Sequence, residues 1–350
     1  MEFIPKGIAN LGNTCYINSC IQLLCAIDKI TNIVQNTPIK NITKIESVLW
    51  KNWKDIVTIM NQNDSEDTKT TKESKQIIMQ PNGFITAIEQ VSKSKKISFF
   101  QTLEPQDISE YLIFFIDALH ECISQEYTVQ IAGQSKNEID NLALEVYKVT
   151  KQTFEKQFSD IAKIFYGVQV SQLTSIDGQV IHSRNCEIFY LLDLPLLYDN
   201  PGPYTIYNCL DEYTKIEKLD GENQWYNEKT KMHESVQKSL SFWSLPEVLI
   251  ICLKRNQWNG QKNTAKVEYP LELDLRKYII GYRKSEFIYE LSGVCIHMGN
   301  MTNGHYMAFV KKHNHWFFCN DETVQIIEDL KHLQTNLAHC LFYVKKNNAI

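Results

Sequence analysis

The spacing of apolar residues changes once along this chain of 350 residues, and that change limits the fold more than any other feature. In the first half, apolar side chains recur at intervals of three and four. After Asn13 and Thr14, either able to cap a helix, Ile17, Ile21, Leu24, Ile27 and Ile30 fall on one stripe. Phe84, Ile88 and Val91 mark a short helix, and Pro105 followed by Ile108, Leu112, Phe115, Ile116, Leu119 and Ile123 marks a longer one. From about Val168 onward, short runs rich in β-branched and aromatic residues take over: Glu187 to Leu194, Val248 to Leu253, Val294 to His297, His305 to Lys311 and Leu341 to Val344. Helices followed by a block of strands imply an α+β architecture, with a cleft where the two layers meet. The polar stretch from Asn61 to Lys75 has neither period and reads as an exposed loop or disordered insertion.

Composition removes several classes of function. Lys and Arg total 36 against 41 Asp and Glu, a net charge of -5, so no basic field attracts nucleic acid or an anionic membrane. The segment Met1 to Gly7 lacks the apolar run of a secretory signal, and no stretch reaches the ~20 apolar residues that span a bilayer. An intracellular, soluble protein is the expectation. Ten cysteines at irregular spacing then read as reduced thiols, most of them small core residues.

Two constellations carry chemistry. The first is Gly7-Ile8-Ala9-Asn10-Leu11-Gly12-Asn13-Thr14-Cys15-Tyr16-Ile17-Asn18-Ser19. A free thiol has a pKa of about 8.5, and a helix N-terminus favours its thiolate through unpaired N–H groups and the macrodipole. Cys15 has that placement, glycines at 7 and 12 let the backbone approach closely, and the Asn10 amide is able to aim at a developing oxyanion. A helix cap followed by a buried cysteine fits the same residues. The second is Gly304-His305-Tyr306-Met307-Ala308-Phe309-Val310, a glycine turn leading into a strand that begins with histidine. His305 is the candidate general base, because imidazole titrates near neutrality and a strand holds it rigidly. Trp316-Phe317-Phe318-Cys319-Asn320-Asp321 follows, where a neighbouring strand is expected to present an amide or carboxylate to the imidazole Nδ1–H.

These residues resemble the ubiquitin-specific proteases, the thumb, palm and fingers relatives of papain. Four blocks carry the resemblance, in the family's order and across nearly the whole chain. The Cys15 block resembles Gly-Leu-x-Asn-Leu-Gly-Asn-Thr-Cys-Tyr-x-Asn-Ser almost throughout, and Pro105-Gln106-Asp107-Ile108-Ser109-Glu110-Tyr111 resembles Gln-Gln-Asp-Ala-x-Glu-Phe. Leu245 to Arg255 resembles the palm strand, and Gly293, His297, Gly299 and Gly304-His305-Tyr306 form the fourth block.

The resemblance implies a papain-like fold in one catalytic domain over 1–350, with a helical thumb (1–165), β fingers (166–245) and a β-rich palm (246–350). It implies Cys15 as nucleophile, Asn10 as oxyanion donor, His305 as base and Asn320 as the residue orienting it, with Asp321 the fallback. Asp107 matches an acid that faces arginine in the ubiquitin tail, Tyr306 is a further substrate contact, and His297 to Gly304 matches a mobile loop beside the tail channel. Ubiquitin and ubiquitinated proteins are the implied partners of a monomer that needs no cofactor. A non-catalytic ubiquitin-binding scaffold and a protease for a ubiquitin-like modifier are the rival readings.

Several positions depart from the pattern. Many relatives hold zinc at the fingertip with two Cys-x-x-Cys pairs. Here Asn227 and Thr230 stand where the second pair belongs, and no cysteine lies between Leu173 and Val180. Cys186, Cys209, His182 and His233 lack paired spacing, so no metal is expected. Asn256 replaces the aromatic that usually follows Leu-Lys-Arg, Pro105 replaces a Gln, and Cys319 replaces an aromatic. The signature begins almost at residue 1, which reads as a bare catalytic module.

Overall fold

The computed structural model describes residues 4–39, 42–62, 77–97, 106–197, 204–256, 260–300 and 303–346. Pro105 and positions 63–75 of the polar stretch lie outside them. Among the described residues the helices are α1 (Cys15–Cys25), α2 (Asp28–Asn36), α3 (Glu46–Asn61), α4 (Asn82–Ser94), α5 (Ile108–Ile123), α6 (Glu138–Phe154), α7 (Asp160–Phe165) and α8 (Ile206–Tyr213). The strands of the N-terminal half are β1 (Gly7–Ile8) and β2 (Ile78–Met79). Then come β3 (Gly167–Ser175), β4 (Ile181–Phe189), β5 (Leu192–Pro195), β6 (Tyr204–Thr205), β7 (Glu217–Leu219), β8 (Trp225–Asn227), β9 (Met232–Glu234) and β10 (Val236–Ser244). The last group is β11 (Val248–Lys254), β12 (Val267–Glu268), β13 (Glu272–Asp274), β14 (Ile288–Gly299), β15 (Gly304–Lys312), β16 (His315–Asn320), β17 (Thr323–Ile327) and β18 (Ala338–Lys345). The fold is mixed α+β.

Two sheets dominate. One has four strands in the order β4-β3-β10-β7, and the other runs β17-β16-β15-β14-β18-β11-β5, with β13 also paired to β14. Strand β11 explains why the large sheet forms a core with two faces. Val248, Ile250 and Cys252 point to the helices, while Leu249, Ile251 and Leu253 point to a second apolar cluster that includes α8. A strand buried on both sides reads as a continuous apolar run, and β11 is one.

The stripe from Ile17 to Ile30 is two helices rather than one, because α1 stops at Cys25 and α2 leaves at 88°. Ile27 sits in extended backbone at the start of α2 yet packs in the same core, so the apolar spacing survives the break. No single helix among the described residues is long and apolar enough to cross a membrane. The run Glu187 to Leu194 also divides, since the chain leaves the four-stranded sheet at Phe189 and enters the large sheet at Leu192. Helix α8 interrupts the strand-rich half. It starts with a capping box between Thr205 and Asn208 and buries Ile206, Cys209 and Leu210.

Candidate active site

Helix α1 packs across β14 and β15 and so carries the N-terminal signature onto the large sheet. Cys15 is its first residue and is 8% exposed. Thr14 occupies the cap position without capping. Its hydroxyl turns back to accept from Leu11 N–H at 3.0 Å and to donate to Asn10 Oδ1 at 3.2 Å. Asn10 Oδ1 also takes the N–H groups of Gly12 and Thr14, which folds residues 10–14 into a closed loop. Gly12 serves that loop with φ of +118°, a conformation that other residues rarely adopt.

The other half of the site comes from the β16–β17 turn. Ile8 N–H donates to Asp321 C=O at 2.8 Å, and a Cβ on Gly7 would stand 2.1 Å from the Glu322 carbonyl oxygen. The first glycine of the signature therefore allows β1 to lie against the turn that bears Asn320 and Asp321. Asp321 itself adopts φ of +45°, a left-handed conformation that Asp tolerates better than most residues. Its carboxylate accepts from Asn10 Nδ2 and from Asn18 Nδ2, both at 2.8 Å. Asn18, buried and one turn after Cys15 on α1, was not singled out from sequence. The i, i+3 spacing from the cysteine was the available signal.

His305 begins β15 next to Gly304. Its Nε2 lies 2.7 Å from Asn320 Oδ1 and 3.7 Å from Asp321 Oδ2. The expected contact through Nδ1 is thus corrected: Asn320 holds Nε2, and Nδ1 is left to face elsewhere. The Cys15 thiol also differs from expectation. Burial pushes its pKa above the ordinary thiol value and Asp321 adds to the rise, while the backbone N–H groups of Tyr306, Tyr16 and Cys15 itself pull it down. The helix N-terminus does favour the thiolate, but desolvation outweighs it. The Tyr306 contact puts the sulfur beside the residue that follows His305.

Cys15, Tyr306 and Asp107 line one slot of about 130 Å³, together with Asn13, Tyr16, Gln106, Asn256, His297, Asn303 and Gly304. Sites for small molecules usually measure about 300 to 1,000 Å³, so this slot suits a thin strand of main chain better. Three larger cavities, of about 540, 600 and 410 Å³, lie at the α1–α2 junction, beside α6 and beside α8, and none is lined by Cys15 or His305.

Asp107 caps α5 by accepting from Ser109 N–H at 2.8 Å and from the Ser109 hydroxyl. Burial acts to raise its pKa, but His339 and Ser109 hold it well below the usual carboxylate range. Tyr306 is buried and stacks on His297 with centroids 4.3 Å apart. Lys262 Nζ reaches His297 Nδ1 at 2.9 Å and the His297 and Gly299 carbonyls at 2.8 and 3.3 Å. Burial, then Lys262 and His339, lower the His297 pKa to about 4. Asn256, where the sequence departs from an aromatic, lines the same slot and pairs with Lys262 through an isolated antiparallel bridge.

At the tip of the β8–β9 hairpin, no metal geometry is present. Asn227 Nδ2 and Thr230 Oγ1 both donate to Glu234 Oε1, at 2.9 and 2.5 Å. Cys186 and Cys209 are buried in two separate clusters. Among the described residues, no group of three His, Cys, Asp or Glu side chains is gathered to hold an ion.

The family profile "Ubiquitin carboxyl-terminal hydrolase" matches residues 6–343. Ubiquitin carboxyl-terminal hydrolase 4 of Arabidopsis thaliana is 28% identical over 92% of this chain and 85% of its own length. Its namesake in Saccharomyces cerevisiae is 28% identical over 96% of this chain but only 39% of its own length. A chain in the structure of the yeast SAGA DUBm with an Sgf73 mutant superposes with a TM-score of 0.69 at 22% identity, covering 99% of this chain and 71% of that one. With matches that run through the cysteine, histidine and palm blocks alike, the chain belongs to the ubiquitin carboxyl-terminal hydrolase family, a family of cysteine-type deubiquitinases.

Proposed function

We propose that the chain is a thiol-dependent deubiquitinase that cleaves the peptide or isopeptide bond after the C-terminal glycine of ubiquitin. The observation that carries this reading is the pairing of His305 Nε2 with Asn320 Oδ1 at 2.7 Å beside a cysteine that shares its slot with the next residue, Tyr306. An Nε2–H donated to Asn320 leaves the Nδ1 lone pair as the base. His305 takes the Cys15 proton, and the thiolate attacks the carbonyl carbon of the terminal glycine. The oxyanion meets the N–H of Cys15 and the Asn10 amide proton not given to Asp321. His305 then returns the proton to the departing amine, leaving a thioester. Water, deprotonated by His305, attacks the thioester and releases the glycine carboxylate and the free thiol.

The raised thiol pKa fits an enzyme that makes its thiolate when substrate arrives. A tail of two glycines fills a narrow slot that excludes side chains, so selectivity arises from rejection as well as attraction. The body of ubiquitin would rest on the four-stranded sheet, read as fingers, and the large sheet, read as palm, with the helices as thumb. Ubiquitin carrying a C-terminal electrophile tests the reading. The native protein should gain one covalent ubiquitin and Cys15→Ala none, and an unmodified native protein would refute it.

A further inference from the structure

The reaction above has no use for one histidine beneath the slot. His339 lies on β18 with 4% exposure, its ring edge-on to those of His297 and Tyr306, both centroids 5.8 Å away. Its Nδ1 is buried and has no hydrogen-bond partner among the described residues. A buried polar group left unpaired costs about 1–3 kcal/mol, which an apolar ring of similar shape avoids. Judged by Nδ1 alone, histidine costs stability here, and the other nitrogen supplies a reason to keep it.

That nitrogen, Nε2, stands 3.5 Å from Asp107 Oδ2. The separation is long for a hydrogen bond, and polar contacts in an empty site commonly tighten once the site fills. Asp107 Oδ1 already accepts the N–H and the hydroxyl of Ser109. A carboxylate offers about four lone-pair positions, so His339 on Oδ2 leaves a single acceptor position, in a residue that lines the slot with Cys15.

We propose that His339 is a positioning residue for recognition: by donating from Nε2 to Asp107 Oδ2, it fixes the carboxylate so that its last acceptor position takes one N–H of a cationic side chain in the substrate tail. The inference rests on the deubiquitinase reading and deepens it. His339 touches no reacting atom, so its effect falls on KM rather than kcat.

Hydrolysis of ubiquitin bearing a C-terminal fluorogenic amide, followed in parallel with thermal unfolding, tests it. H339F should raise KM about tenfold, the equivalent of one charge-assisted hydrogen bond, with kcat within about twofold. Thermal unfolding checks that each variant folds. H339Q, which restores a donor near the Nε2 position, should recover most of the loss. D107N should raise KM, and adding H339F to it should raise KM no further. On ubiquitin whose tail arginines are alanine, H339F and the native protein should have the same KM. An unchanged KM in H339F or an H339Q no better than H339F would overturn the proposal. If the native protein fails to react with electrophilic ubiquitin, the functional reading falls; if it reacts and the variants depart from this pattern, only the role of His339 falls.

Discussion

At the proposed reacting end of the cleft one carboxylate, Asp321, is surrounded by amides, whereas the proposed recognition end packs Asp107, His297, His339 and Lys262 against one another. Asn10 and Asn18 donate to Asp321, and Asn320 holds His305. At the other end Lys262 grips His297, and His339 faces Asp107. Amides keep their hydrogen-bonding pattern at every pH, while buried ionisable groups keep theirs only within a window. Beyond the Cys15–His305 pair itself, the two ends should therefore differ in their response to pH: amides hold the geometry around the reacting groups, and protonation governs the stability of the recognition wall.

The largest expected effect lies at the reacting end. His305→Ala should lower turnover by at least about 10³-fold while ubiquitin binds with unchanged affinity, as titration calorimetry would show. Retained turnover would mean that another group is the base, and the contrast between the two ends would lose its first member.

The second expected effect belongs to the recognition end and has a defined sign. His297 has a pKa of about 4 in the fold, against about 6.5 when unfolded. Between these values the unfolded chain binds the more protons, so the stability from neutral His297 is fully present above pH ~6.5 and is lost as pH falls toward 4. Lys262 and His339 oppose protonation and Asp107 favours it. The full loss is about 3 kcal/mol. His297→Phe should flatten the dependence of melting temperature on pH across that window, and an unaltered slope would show that the acid sensitivity lies elsewhere.

A smaller effect tests how the amides work. Asn320→Ala should reduce kcat by about 30-fold with KM unchanged, because it frees the ring without removing the base. Asp321→Ala should also disturb the loop of Asn10, since both amide donors lose their acceptor. If Asn320→Ala costs less in kcat than Asp321→Ala, then Asp321, 3.7 Å from Nε2, takes the larger share in orienting His305.

Much of the fold was legible because period and burial agree. The alternation in β11 and β15 follows from two covered faces, and α1 begins at Cys15 where the capping residues suggested. Breaks were harder to read. The turn between α1 and α2 leaves the apolar spacing intact, and the switch of sheets between Phe189 and Leu192 leaves a continuous β-rich run. Short motifs made Cys15, His305 and Asn320 visible as candidates. Asn18 and His297 lay inside quoted motifs without an assigned partner, and His339 was hidden, because a buried imidazole outside a motif has no distinguishing local pattern and acquires its partner only through pairing of distant strands. The raised Cys15 pKa was equally unreadable, since helix position predicts the dipole contribution but not the depth of burial.

The smallest expected effect separates the cleft from the fingertip. There Asn227 and Thr230, at the positions where the family resemblance would place a cysteine pair, converge on Glu234 by hydrogen bonds. Bonds confined to one short hairpin hold local geometry and contribute little to the cooperative unit. Glu234→Ala should accelerate amide exchange across Trp225 to Glu234 a few-fold, with no change in global melting temperature or in turnover. A strong metal chelator should leave native melting unaltered, because the clasp needs no ion. A chelator that lowered the melting temperature would place a metal in the fingers after all. A Glu234→Ala variant that lost turnover would tie the fingertip to the cleft and remove the independence that this contrast requires.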